Sequence, residues 1–180
     1  MRYRATIPSR SDTDLHLHLD AKAVWGLLDA FNGLMGWHGA GIVDIEAMHT
    51  AIMTMSQNAF DLPVSNSAPA LAVHGLEVGM VTLLYAALSL GSLATGAYGS
   101  GELWHNLSIE TSKTFVGLPT LDLCLACFLQ HMYVLRTGTS NHARGLLIQA
   151  ISHAHDLKLP HNVHGLRGLQ LYLLIYMADQ

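Results

Sequence analysis

Cysteine is almost missing from this 180-residue chain. The two present, Cys124 and Cys127, form a CxxC with no second pair to complete a zinc site. Their setting, "DLCLACFL", reads as helix core. The expectation is a pair of buried free thiols in a reducing intracellular compartment, nucleus or cytoplasm. Charge is scarce as well, at 12% of residues with a formal net charge of −4. Arg2, Arg4 and Arg10 are the only basic cluster. Direct nucleic-acid binding is therefore excluded, because gripping phosphates takes concentrated Lys and Arg. Phosphate-binding glycine motifs are lacking too; "GSG" at 99–101 has no Lys-Ser/Thr after it. No serine, cysteine or lysine sits in a nucleophile's setting. ATP, NAD and kinase chemistry drop out, and the sequence calls for no cofactor and no metal. "MRYRATIPSR" lacks the apolar stretch of a secretory signal.

Apolar residues and histidine are what the chain has in plenty: 51% hydrophobic, with twelve histidines and eight methionines. Such a chain buries a large core and is too apolar to be disordered. One motif invites a metal reading. "TDLHLHLDAK" places His16 and His18 on one side of an extended segment, as in the strand that supplies metal ligands in amidohydrolases. A (β/α)₈ barrel needs about 200 residues or more, and no later segment reads as a ligand-bearing strand. The alternative is a polar lead-in to a helix, with Asp20 near its start. The uncharged run Val78–Gly101 is long enough to span a bilayer. Its glycines at 79, 91, 96 and 99, and Glu77 beside it, favour the centre of a water-soluble helical domain and no membrane insertion.

Helical periodicity dominates. Residues 21–36 place Val24, Leu27, Leu28, Phe31 and Leu34 on one face. A second helix, about 44–59, does the same with Ile45, Met48, Ile52, Met55 and Phe60. A long apolar helix follows over about 70–95, then one over 101–116 with Leu103, Leu107 and Phe115 inward. Residues 120–136 carry Leu121, Leu125, Phe128, Met132 and Leu135 in a stripe. Residues 142–158 carry Ala143, Leu147, Ala150, Ala154 and Leu157. A last apolar helix covers about 164–179. The prediction is an all-α fold of about seven helices, in antiparallel pairs forming a compact bundle. It forms one domain, 1–180, with residues 1–19 as a polar N-terminal segment.

Residues 119–179 carry a resemblance. "PTLDLCLACFLQHMYVLRTGTSNHARGLLIQAISHAHDLKLPHN" and "GLRGLQLYLLIYMADQ" resemble the middle homology region of the fungal-specific transcription factor family. The family's Ala-x-x-Leu-Gly-Leu-His type of signature here reads "AHDLKLPHN" (154–162). Upstream, "LLYAALSLGSLAT" and "GELWHNLSIETSK" resemble its earlier helices, so the likeness covers roughly residues 70–180. It implies an all-α regulatory domain that answers to an effector or a protein partner. The chain departs from the family: no zinc-cluster cysteines precede Cys124, the basic start of the final motif is reduced to Arg167, and the family's domain is expected to continue past the aspartate that here is Asp179. A stand-alone regulatory module, binding a hydrophobic small molecule or a protein, is the leading expectation.

The second expectation is a small secondary-metabolism enzyme, a cyclase or isomerase, on the same scaffold. Its polyketide or terpenoid-like substrate would lie between apolar walls with a few proton donors. His153 and Asp156, three apart on one helix, would form the proton-transfer pair, with His131 as a further catalytic candidate. Trp104, His105, Trp37, His38, Met132 and Tyr172 are the candidate ligand contacts. Each residue also has a structural reading: core packing for the buried ones, a solvated face for the His142–Gln149–His153–Asp156 stripe. So apolar a short chain also points to a possible homodimer.

Overall fold

The computed structural model describes residues 21–36, 41–57, 77–115, 117–138, 140–161 and 164–179. Every regular element among them is helical: α1 (Ala21–Met35), α2 (Ile45–Gln57), α3 (Val78–Ala94), α4 (Tyr98–Lys113), α5 (Leu121–Thr137), α6 (Ser140–Asp156) and α7 (Gly165–Ala178). Leu159–His161, between α6 and α7, form a 3-10 turn. The predicted all-α bundle is thus what the chain forms.

Local chemistry sets the ends of these helices. Asp44 caps α2, its Oδ1 accepting from the Ala47 amide at 2.9 Å. Thr120 caps α5 in the same way, its hydroxyl accepting from the Leu123 amide at 3.2 Å. Gly138, at φ 91°, ends α5 in the left-handed conformation that glycine adopts without strain. Gly96, at φ 77°, splits the 24-residue uncharged run into α3 and α4. The break leaves α3 with 17 residues. Among the described residues, no helix is long and apolar enough to cross a membrane.

α3 is the axis of the bundle. It is buried without interruption from Val81 to Ser92, because α1, α4 and α5 all pack on it. A helix enclosed on every side needs no polar face. α1 reaches it so closely at Gly91 that a Cβ there would collide with the Leu27 carbonyl. α6 lies along α5, and α7 sits at the edge against α6 and α5.

α1 turns Val24, Leu28 and Phe31 inward, and α6 turns in Ala143, Leu147, Ala150 and Ala154, as their spacing predicts; the expected Leu27, Leu34 and Leu157 are only half-buried, and Met35 and Leu146 are buried as well. In α2, Met48 and Ile52 are buried, while Phe60 and the Met55 side chain lie outside the described residues. Two helices differ from the expectation. α5 is buried all round from Leu123 to His131, not along one stripe, and Leu135 is exposed. α4 buries Gly101, Trp104, His105, Ser108 and Thr111, while Leu103 and Leu107 are only half-buried. The reason is the closeness of α3. Gly101 lies against the Ser89 carbonyl and the Tyr133 ring, where a Cβ would stand 3.4 Å from each. Gly101 permits that approach, and Trp104, His105, Ser108 and Thr111 fill the rest of the seam, so leucine spacing does not mark the inner face.

Candidate functional site

A cleft of about 360 Å³ opens between α1, the turn leading into α2, and α7. Its apolar wall is Phe31 and Met35 from α1 with Val43 and Ile45 from the turn and α2. Asn32, Asp44 and Arg167 supply the polar groups. Phe31 and Met35 are four apart and share one helical face. Arg167 comes from the far end of the chain. Its Nε donates to the Ile42 carbonyl at 2.5 Å, and its Nη2 donates to Asp122 Oδ1 at 2.6 Å. The Arg167 and Asp122 side chains are 30% and 17% exposed, so the pair is partly withdrawn from water. One guanidinium therefore clamps the 41–44 turn, α7 and the start of α5 together. The cleft is half open to solvent, and its accessible lining is about as polar as it is apolar.

A second polar feature lies in the core where α3, α4 and α5 meet. Gln130 Nε2 donates to Ser108 Oγ at 2.8 Å, and Ser108 Oγ donates to the Thr82 carbonyl at 2.9 Å. This relay ties three helices. Around it, Tyr85 stacks on Trp104 with ring centroids 5.7 Å apart, and His105 stacks on Tyr133 at 4.5 Å. Three buried atoms here, Tyr85 Oη, Gln130 Oε1 and His105 Nδ1, have no hydrogen-bond partner among the described residues. Burial drives the Tyr85 phenol well above its usual range. Burial, and secondarily the charge of His142, push His105 down to about 4. His105 is thus neutral near pH 7, as its surroundings require.

No hydrogen bond or ring contact joins the described members of the sequence-predicted site to one another. His153 is half-buried on α6, and neither ring nitrogen has a partner among the described residues. Burial lowers its pKa, against an opposing pull from Asp156. Asp156 itself is exposed, and no hydrogen bond joins the two. His131 is buried at 6% exposure, with Nδ1 2.9 Å from the Ala143 carbonyl. A carbonyl only accepts, so Nδ1 carries the proton, and the residue fastens α5 to α6. Trp104 and His105 belong to the core seam, Met132 packs half-buried against the core, and Tyr172 stacks on Tyr176. Trp37 and His38 lie outside the described residues, as do His16 and His18, although cleft-lining Met35 and Gly41 flank the former pair in the chain. The described lining of the cleft contains no histidine.

Both cysteines are free and buried. Cys124 Sγ donates to the Ala150 carbonyl at 3.4 Å. Burial pushes the Cys127 thiol up to about 12 and raises Cys124 further. Among the described residues, no group of three or more His, Cys, Asp or Glu is placed to hold a metal ion.

Sequence reasoning passed over Arg167 as a site residue, along with Asn32 and Asp44. A signal for Arg167 existed: it is the sole charged residue within α7. No spacing rule pairs it with Asp122 or with the Ile42 carbonyl, 125 positions away. No family model, curated protein or solved structure matches the chain.

Proposed function

We propose that the chain is a helical effector-binding module, with the Arg167 cleft holding a small amphipathic molecule that sets an apolar part against Phe31, Met35, Val43 and Ile45 and a hydrogen-bonding head beside Asn32, Asp44 and Arg167. The observation that carries this reading is the cleft itself, at about 360 Å³ with four apolar residues facing three polar ones. A ligand there would touch residues from both ends of the fold, 31–45 and 167. It would add to the clamp that Arg167 already makes, which is how occupancy would be felt in α5 and α7. Binding only to the folded state stabilises that state by mass action. The resemblance of residues 70–180 to a fungal regulatory region supports an effector-responsive role in transcription, exercised without DNA contacts of this chain's own.

Holding a ligand is favoured over transforming one. Arg167 and Asp44 are each engaged in hydrogen bonds that the fold uses. The candidate acid–base residues His131 and His153 are outside the cleft lining.

The test is titration with 1-anilinonaphthalene-8-sulfonate, which has an apolar body and one polar head. One equivalent should bind with enhanced fluorescence and raise the melting temperature. Asn32 is an exposed residue of the lining. Asn32→Trp should block the cleft and abolish binding while leaving the unliganded melting temperature in place. Binding by Asn32→Trp equal to wild type would reject the cleft as the site.

A further inference from the structure

α7 has two apolar faces. Gly168, Leu171 and Ile175 point inward. On the other side Leu166 and Leu173 are 70% and 49% exposed, Tyr176 is 54% exposed, and Leu169 between them is half-buried. Met177, 61% exposed, lies beside this row. The row 166, 169, 173, 176 has the 3-4-3 spacing of a heptad seam, the pattern by which one helix packs knobs into the holes of another. Within α7 the positions flanking that seam are Gly165, Gln170, Tyr172 and Met177, none of them charged; the one charge on its flanks, Asp179, stands at the C-cap beyond the last seam residue.

We infer that this face is the interface of a homodimer, in which α7 of one copy packs against α7 of a second. Three observations point to a second copy as the occupant. The seam is helical in period, so its complement is a helix. Along the helix its flanks carry none of the charges by which such seams select an unlike partner or repel their own kind, Asp179 at the C-cap being the one charge at its end. Its area also suits the role. The exposed apolar side chains amount to on the order of 500 Å² per copy, or about 1,000 Å² for a pair, at the threshold of a specific interface. An interface of that size gives a weak, reversible dimer. Arg167 lies on the same helix, so pairing through α7 would sit one helix-width from the cleft.

The test is sedimentation velocity on the full chain between about 1 and 200 μM, for wild type, Leu173→Glu, Tyr176→Glu and Leu118→Glu. Leu118 is 84% exposed and lies between α4 and α5, outside α7. Wild type and Leu118→Glu should pass from monomer to dimer across this range. Leu173→Glu should raise the dimer dissociation constant roughly 100-fold or more, since a carboxylate would be buried without a partner. Tyr176→Glu should do the same, which keeps the test valid if either variant fails to fold. Circular dichroism should show native helix content in both. A wild type that stays monomeric at 200 μM would overturn the inference, as would dimers that survive both seam variants. Loss of dimer in Leu118→Glu alone would place the interface elsewhere. Monomeric protein that binds neutral phosphatidylcholine vesicles through Leu173 would identify the face as a lipid contact and reject the second copy.

Discussion

Gly91→Ala is the sharpest test of how the bundle is held together. A methyl group at this position falls on the backbone carbonyl of Leu27 in α1, which cannot swing aside as a side chain could. Restoring van der Waals contact requires α1 to retreat by about 1 Å. That retreat loosens the packing of Val24, Leu28 and Phe31, all at 2% exposure or less. Overpacking of this kind costs about 1–3 kcal/mol, and the backbone character of the clash puts it at the upper end. Alanine returns about 1 kcal/mol through its higher helix propensity. The net expectation is destabilisation by about 2 kcal/mol. For a domain of this size that lowers the melting temperature by roughly 4–8 °C. Thermal unfolding followed at 222 nm measures it, with Gly145→Ala as the control. Gly145 is an exposed helical glycine with open space at its Cβ position, so that change should stabilise by about 0.5–1 kcal/mol. If Gly91→Ala melts at or above wild type, α1 does not approach α3 as described, and the account of the core fails.

Four further outcomes follow from the same packing. His105 is neutral in the fold with a pKa near 4, against about 6.5 when unfolded. Its contribution is therefore complete above pH 6.5 and is lost as pH falls from 6.5 toward 4, by up to about 3 kcal/mol; urea denaturation of His105→Gln should show a flatter pH dependence across that window. Ser108→Ala should cost about 2 kcal/mol by stranding the Gln130 amide, and adding Gln130→Leu should recover part of it, measured as a double-mutant cycle. Lys158→Gly should stabilise by about 1 kcal/mol in thermal melts, because Lys158 holds φ at 54° where a Cβ is strained. Cys124 and Cys127 should resist 5,5′-dithiobis(2-nitrobenzoic acid) in the native protein and react once urea unfolds it, since burial keeps both as thiols.

The helices were legible because burial repeats with the helical period. α6 is the clearest case: the alanines and leucines that recur along it are its buried face. α3 was legible as a central helix from its lack of charge, and the glycine that ends it was visible as a break. α4 was misread because leucine spacing assumes that burial follows hydrophobicity. There the neighbouring helix comes close at Gly101, and Trp104, His105, Ser108 and Thr111 make up the rest of the inner face in place of the leucines. The candidate site was harder still. His153 and Asp156 could be paired on paper because both lie on one helix, whereas the groups that meet in the cleft come from α1, α2 and α7.

By itself, the sequence determined the class of fold, the helical segments, the central place of α3 and the buried state of the two thiols. These depend on composition and on spacings within a few residues, which the 3.6-residue turn converts directly into faces. The tertiary structure alone decided the polar inner face of α4, the Gln130–Ser108–Thr82 relay, and the clamp from Arg167 to Ile42 and Asp122. Those contacts join residues separated by between 22 and 125 positions. Their formation depends on how closely the helices approach one another, a distance that no local pattern encodes.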